Sequence, residues 1–251
     1  MSTKRMRFSL VSYDSKLYAI GGHNNKTLNN VESYDTQTNQ WISMASLNIL
    51  RREHDATVLQ NTIYVCGGKD GTILKSCEYY TLNTDDWTFS TPMSQVREDL
   101  SLVAHDRLIY AIGGKNGTQN FNTMERYDTN TKQWQPMANM KYPRDYLGSA
   151  SFMGKIYVCG GWSYSDVMNS CETYDSKTNQ WTPIASMQLE RIGFKLIAFN
   201  DKIYALGGQT KDGNITDTVE IYDYKSNQWY YTTSMPIKVY DYGTTYLTKC
   251  R

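Results

Sequence analysis

Five Gly-Gly pairs, beginning at Gly21, Gly67, Gly113, Gly160 and Gly207, stand 46, 46, 47 and 47 residues apart. Five tryptophans, Trp41, Trp87, Trp134, Trp181 and Trp229, follow them at 20 to 22 residues. A fixed period carrying the same two signals marks a chain built by repeating one supersecondary unit, which cannot bury its own apolar faces and must stack on its neighbours. The period also sorts the residues. Positions that recur in every unit serve the fold, so function is sought where the units differ.

Each unit reads as four strands. A Tyr-containing apolar run ends at each glycine pair, as in Ile63-Tyr64-Val65-Cys66 and Ile203-Tyr204-Ala205-Leu206; such runs are short buried strands. Another strand precedes it (Ser101-Leu102-Val103-Ala104, Lys195-Leu196-Ile197-Ala198), joined through a tight polar turn such as Asn200-Asp201-Lys202. A third carries Glu-x-Tyr: Glu32 and Tyr34, Glu78 and Tyr80, Glu125 and Tyr127, Glu172 and Tyr174, Glu220 and Tyr222. A polar turn then leads to a fourth strand that opens at the Trp. No stretch shows a helical apolar period. The reading is all-β, with antiparallel four-stranded sheets stacked radially.

The order of apolar strand, Gly-Gly, Glu-x-Tyr-Asp and Trp resembles the kelch repeat, with Thr81 replacing the Asp in one unit. The resemblance covers essentially the whole chain and implies a kelch β-propeller of four-stranded blades. The expected organisation is a single domain over 1–251, with repeats at about 5–50, 51–96, 97–143, 144–190 and 191–237 and a partial repeat at 238–251.

An Arg stands 16 residues before the first glycine of each pair: Arg5, Arg51, Arg97, Arg144 and Arg191. The next place in that series is Lys238, followed by a strand at Thr244-Thr245-Tyr246-Leu247. This gives five complete units and the first strand of a sixth. Kelch-like proteins that this chain resembles form six blades, the last completed by strands from the other end of the chain. Met1 precedes Arg5 by four residues, as Met93, Met140 and Met187 precede their arginines. The expectation is therefore a six-blade propeller truncated by about 35–40 residues, one period less one strand; the alternative is a ring of five.

Composition narrows the function classes. A formal net charge of +1 without a basic cluster argues against nucleic acid or an anionic membrane as partner. No apolar run reaches the ~18 residues of a spanning helix, and Lys4, Arg5 and Arg7 precede no signal-peptide core. The five cysteines are odd in number and suggest no disulfide framework. Cys66 and Cys159 fill the slot of Ile20, Ile112 and Leu206, and Cys77 and Cys171 that of Val31, Met124 and Val219. They read as small buried hydrophobes, and reduced thiols fit a cytoplasmic or nuclear protein.

Some kelch-type propellers are enzymes, yet His23, His54 and His105 make no metal set, and no nucleophile–base constellation or cofactor motif stands out. The expectation is no catalytic residue, no metal and no cofactor. The Asn-x-Thr sequons at Asn25, Asn116 and Asn214 read as Asn-rich turns.

In a meander, the loops between strands two and three share a face with the linkers between units, and these loops are the ones that diverge. By the resemblance, this face binds a peptide, and two columns line its mouth. One follows the glycine pair: His23, Lys69, Lys115, Trp162 and Gln209. The other stands two residues after the repeat Arg: Arg7, Glu53, Asp99, Tyr146, Gly193 and Tyr240. Trp162, Tyr164, Tyr146 and Tyr240 are the favoured anchors, since aromatics typify binding hot spots. Glu53 and Asp99 with Lys69 and Lys115 predict a partner of mixed charge.

The resemblance further implies a substrate adaptor of a cullin-RING ubiquitin ligase, recruiting the ligase only through BTB and BACK domains absent from these residues. The alternatives are a cytoskeletal protein that binds actin and, third, a propeller enzyme.

Overall fold

The computed structural model describes residues 1–81, 83–243 and 245. Its strands form five four-stranded antiparallel sheets, one per repeat. Blade one holds β1 (Ser9–Tyr13), β2 (Lys16–Asn24), β3 (Lys26–Asp35) and β4 (Gln40–Met44). Blade two holds β5 (Asp55–Leu59), β6 (Thr62–Cys66), a small hairpin of β7 (Lys69–Asp70) and β8 (Thr72–Ile73), then β9 (Cys77–Thr81) and β10 (Asp86–Ser90). Blade three holds β11 (Ser101–His105), β12 (Leu108–Ile112), β13 (Met124–Asp128) and β14 (Gln133–Met137). Blade four repeats the hairpin device: β15 (Gly148–Phe152), β16 (Lys155–Cys159), β17 (Trp162–Ser163), β18 (Asp166–Val167), β19 (Cys171–Asp175) and β20 (Gln180–Ile184). Blade five holds β21 (Lys195–Phe199), β22 (Lys202–Leu206), β23 (Val219–Asp223) and β24 (Gln228–Thr232). This is the kelch β-propeller that the sequence pattern implied. The first strands β1, β5, β11, β15 and β21 line a central channel of about 430 Å³.

The core lies between blades. One buried cluster joins Tyr18, Ile20 and Val31 of blade one to Ile63, Val65, Tyr80 and Trp87 of blade two, and three more repeat the arrangement around the ring. In every blade the Glu-x-Tyr ring tilts against its own Trp at 5.1–5.2 Å. Four indoles also donate to a carbonyl of the preceding blade: Trp87 to Ala45, Trp134 to Thr91, Trp181 to Ala138 and Trp229 to Ala185. An aromatic of that size buries ~150–250 Å², about 4–6 kcal/mol of transfer free energy at ~25 cal/mol per Å².

The recurring Arg and Glu form a structural box. Arg144 donates to the carbonyls of Gly160 and Ser170, to Ser170 Oγ and to Glu172 Oε1, and Glu172 accepts the Lys141 amide. Arg51, Arg97 and Arg191 do the same with Glu78, Glu125 and Glu220. Each guanidinium thus ties the linker entering a blade to that blade's glycine turn and third strand. The turn needs glycine: at Gly67, with φ +69°, a Cβ would stand 2.4 Å from the Arg97 carbonyl, and at Gly68 one would stand 2.5 Å from that of Arg52.

Six backbone hydrogen bonds close a circle at one end of the channel. Glu53 donates to Arg7, Asp99 to Glu53, Tyr146 to Asp99, Gly193 to Tyr146, Asp241 to Gly193 and Arg7 to Asp241, at 2.9–3.3 Å. All six residues have φ between +52° and +57°. Five complete blades therefore share a ring with six places.

Two expectations are corrected. The place in the sixth position that corresponds to the repeat Arg is Val239, not Lys238: Gly208 donates to the Val239 carbonyl as Gly22 does to Arg51 and Gly68 to Arg97. The fifth unit is one residue longer, which even spacing could not reveal. The expected strand at 244–247 lies, apart from Thr245, outside the described residues; Thr245 is not in a strand, and its hydroxyl donates to Ser12 Oγ. Second, four cysteines are paired, Cys66 with Cys77 and Cys159 with Cys171. The two cysteine slots are partners in register across strands two and three, so side chains that read separately as small hydrophobes face each other. The thiol argument for a reducing compartment falls with them.

Candidate functional site

The strand two–three loops and the inter-blade linkers meet on one face. Each residue after a glycine pair exchanges backbone hydrogen bonds with the residue after a repeat Arg: His23 with Met6, Lys69 with Arg52, Lys115 with Glu98, Trp162 with Asp145, Gln209 with Ile192. The two predicted columns thus stand side by side, and the six-membered ring lies beneath. Arg7, Glu53, Asp99, Tyr146 and Gly193 are ring members; Tyr240 stands one residue ahead of the sixth, Asp241.

The charged residues lock to one another. Lys69 Nζ lies 2.7 Å from both Glu53 and Glu98. Lys115 Nζ lies 3.0 Å from Asp99 and 2.9 Å from Asp145, with the Tyr146 ring centroid 4.6 Å away. Arg7 pairs with Glu53 and, at 3.2 Å, with Asp241. Glu53, Asp99, Glu98 and Asp145 are buried, so the carboxylates sit under the lysines and do not face solvent. Glu53, Glu98 and Asp99 bring ligand oxygens within 4.8 Å of one another, and the Lys69 ammonium already serves as the cation between two of them.

Burial and pairing set the protonation. Burial pushes the Asp99 carboxyl well above its usual range, and the charges of Glu53 and Asp145 add to that, against the pull of Lys115. Asp145 and Asp241 are raised by burial as well. Glu53 is held below its ordinary value: burial raises it, but the ion pairs with Lys69 and Arg7 outweigh burial. Burial works against charge on Lys115, and its two carboxylates override that and raise it. One ammonium cannot compensate two buried carboxylates equally, so the cation is stabilised most. Burial and the nearby Asp241 push the Tyr240 phenol up to about 12.

The other half of the mouth is aromatic. Trp162 is half-buried in β17, and Tyr164, at the tip of the hairpin with φ +56°, is 78% exposed. Tyr146 and Tyr240 are half-buried at the ring, Gln209 and His23 half-exposed at its rim. Sequence reasoning missed Glu98, Asp145 and Asp241. Glu98 and Asp145 follow the repeat Arg directly, where Met6 and Ile192 stand in other units; that divergence was a signal, but only the cross-loop pairing brings them to the lysines.

The histidines separate. His54 is buried in the inter-blade slot that Phe8, Leu100, Leu147 and Phe194 fill elsewhere. His105 Nδ1 lies 2.9 Å from Ser151 Oγ on the opposite side. That hydroxyl–imidazole pair is a rung of the hydrogen bonding that joins neighbouring first strands, as Ser9 to Asp55 and Ser101 to Ser149.

Comparison with known proteins agrees with the architecture. The model of the KLHDC2/KLHL20/DRC7 Kelch-repeats domain matches residues 7–192 and 89–240. Human Kelch-like protein 33 is 39% identical over 64 residues, 25% of this chain and 12% of that protein's length. A solved structure described as "Structure of YjhT" superposes with a TM-score of 0.80 at 14% identity, covering 91% of this chain and 84% of that one. Kelch propellers typically bind proteins, and the fold occurs in kelch-like adaptors. With five glycine–tryptophan units built into five blades and the domain model spanning nearly all of them, this chain belongs to the KLHDC2/KLHL20/DRC7 kelch-repeat family.

Proposed function

We propose that this propeller is the substrate-recognition module of a kelch-like adaptor for a cullin-RING ubiquitin ligase, binding a peptide segment across the mouth. The observation that carries the reading is the aromatic arc: Tyr164 is 78% exposed at the tip of a hairpin whose base holds Trp162, beside Tyr146 and Tyr240. A large exposed aromatic on an ordered hairpin costs solvation and gives the fold nothing, which is the mark of a binding anchor. The ion-paired half supplies a stiff floor against which a peptide of mixed charge can register. The described blades provide no cullin contact in this reading; that role falls to BTB and BACK domains elsewhere in the parent.

The test is a peptide-display selection on the purified chain, followed by affinity measurement with Trp162→Ala and Tyr164→Ala. A loss of roughly tenfold or more for each supports the face, since a hot-spot aromatic contributes at least that. Unchanged affinity with both variants, or selective cosedimentation with actin filaments and no peptide binding, would overturn it.

A further inference from the structure

Cys66–Cys77 and Cys159–Cys171 occupy slots that the other blades fill with apolar pairs: Ile20 with Val31, Ile112 with Met124, Leu206 with Val219. The blade therefore closes without a covalent bond at this point. Above each slot stands the strand two–three loop, which in blades two and four folds as a separate two-stranded hairpin, β7–β8 and β17–β18. Blade one forms a like hairpin, His23 with Thr27 and Asn24 with Lys26, set off from the rest of β2–β3 by a bulge between Ile20 and Gly22. Blades three and five hold their loops by the bridges Lys115 to Asn120 and Gln209 to Ile215 and by further backbone hydrogen bonds, so what sets blades two and four apart is the covalent bond beneath the loop. The bonds stand at the feet of the two hairpins, with Cys66 and Cys159 each directly before the glycine pair. The hairpins in turn carry Lys69, which bridges Glu53 and Glu98, and Trp162 with Tyr164.

We propose that the two disulfides are redox locks on the mouth hairpins, and that a dithiol reductant releases loops 67–76 and 160–170 without unfolding the propeller. The exchange balances: one thiolate of the reductant attacks a cysteine sulfur, the other cysteine leaves as a thiolate, and the second reductant thiol resolves the mixed disulfide. Two cysteine thiols and one oxidised dithiol result for each bond. A cross-link closing a span of 11 or 12 residues removes most of the open conformations available to the loop. Each of the four cysteines is at most 2% exposed, so exchange proceeds through brief opening of the hairpin. A reducing cytoplasm, which the adaptor reading implies, favours the released dithiol form, so oxidation is what locks the mouth. Its effect on peptide binding rests on that reading; the locking itself is measured without a ligand.

The test has two readouts on the full chain. Alkylation under denaturing, non-reducing conditions, followed by intact mass, is expected to modify at most one of the five cysteines; modification of all five would overturn the proposal. Amide hydrogen exchange with and without dithiothreitol is then compared across loops. The expected result is exchange faster by roughly tenfold or more in 67–76 and 160–170 after reduction, with loops 113–123 and 207–218 unchanged. Variants carrying the sibling pairs, Cys66→Ile with Cys77→Val and Cys159→Leu with Cys171→Val, should exchange like the reduced wild type and ignore the reductant. Equal loop exchange before and after reduction, or acceleration spread over all blades, would sink the idea. Failure of peptide binding alone would count against the recognition face and not against the locks.

Discussion

The amide of Arg7 donates to the carbonyl of Asp241 at 3.3 Å, and the Arg7 guanidinium meets the Asp241 carboxylate at 3.2 Å. This double contact joins the first ring member to the last and completes the six-place circle. The Asp241 amide in turn donates to Gly193, with φ at +53°. Proline can supply neither that amide nor that dihedral. Asp241→Pro is therefore expected to open the ring and cost about 3 kcal/mol or more, read as a fall in the denaturation midpoint. Asp241→Asn, which keeps the backbone bonds, should lose about 1 kcal/mol or less. Equal stability for both variants would mean that the ring closure is not a stabilising feature.

Lys115 is the single cation between Asp99 and Asp145. Its replacement by Met leaves two buried carboxylates facing each other, and breaking such a pair costs about 3–5 kcal/mol. Adding Asp99→Asn and Asp145→Asn to Lys115→Met should recover most of that loss, because the uncompensated charge is what destabilises. A urea titration of the single and triple variants decides it; additive losses would refute the pairing.

His54 fills an apolar slot, where the backbone of Ile20 offers the ring a polar contact that burial outweighs. Burial, helped by the Arg51 charge, lowers its pKa to about 3, from 6.5. The folded value lies below the unfolded one, so the unfolded chain binds the extra proton. Stability from this residue is thus full above about pH 6.5 and is lost as pH falls toward 3, by about 1.4 kcal/mol per unit. His54→Leu, matching Leu100 and Leu147 in the same slot, should remove that slope between pH 6 and 4 and raise stability at neutral pH by about 1–3 kcal/mol. An unchanged pH profile would show that His54 is not the titrating group.

Arg144 makes four hydrogen bonds to Gly160, Ser170 and Glu172 from a fully buried site. Lysine keeps the charge but cannot reproduce the fork. Arg144→Lys is expected to destabilise by about 3 kcal/mol or more, while any peptide affinity measured on the folded fraction stays near wild type. A loss of affinity without a loss of stability would move the arginine column from the fold to the site.

The division between fold and site was legible in part, and the reason is the repeat. Gly67 and Trp87 recur because every blade needs a turn without a Cβ beside the next linker and an indole against its Glu-x-Tyr ring, which in four blades also reaches the preceding blade. Five copies of one constraint are visible without coordinates. Val239 shows the limit: one extra residue in the fifth unit moves the register, and only the Gly208 hydrogen bond reveals it.

What the sequence alone determined is the unit, its four strands, the propeller built from five of them, and the face on which the divergent loops gather. Tertiary structure alone decided which residues from different units meet. Glu98 reaches Lys69 from the next blade, and Asp145 reaches Lys115 in the same way. Cys66 meets Cys77 because the strands pair in that register. Periodicity records what each blade requires of itself, whereas ion pairs, bonds across strands and ring closure depend on distances between residues far apart in the chain.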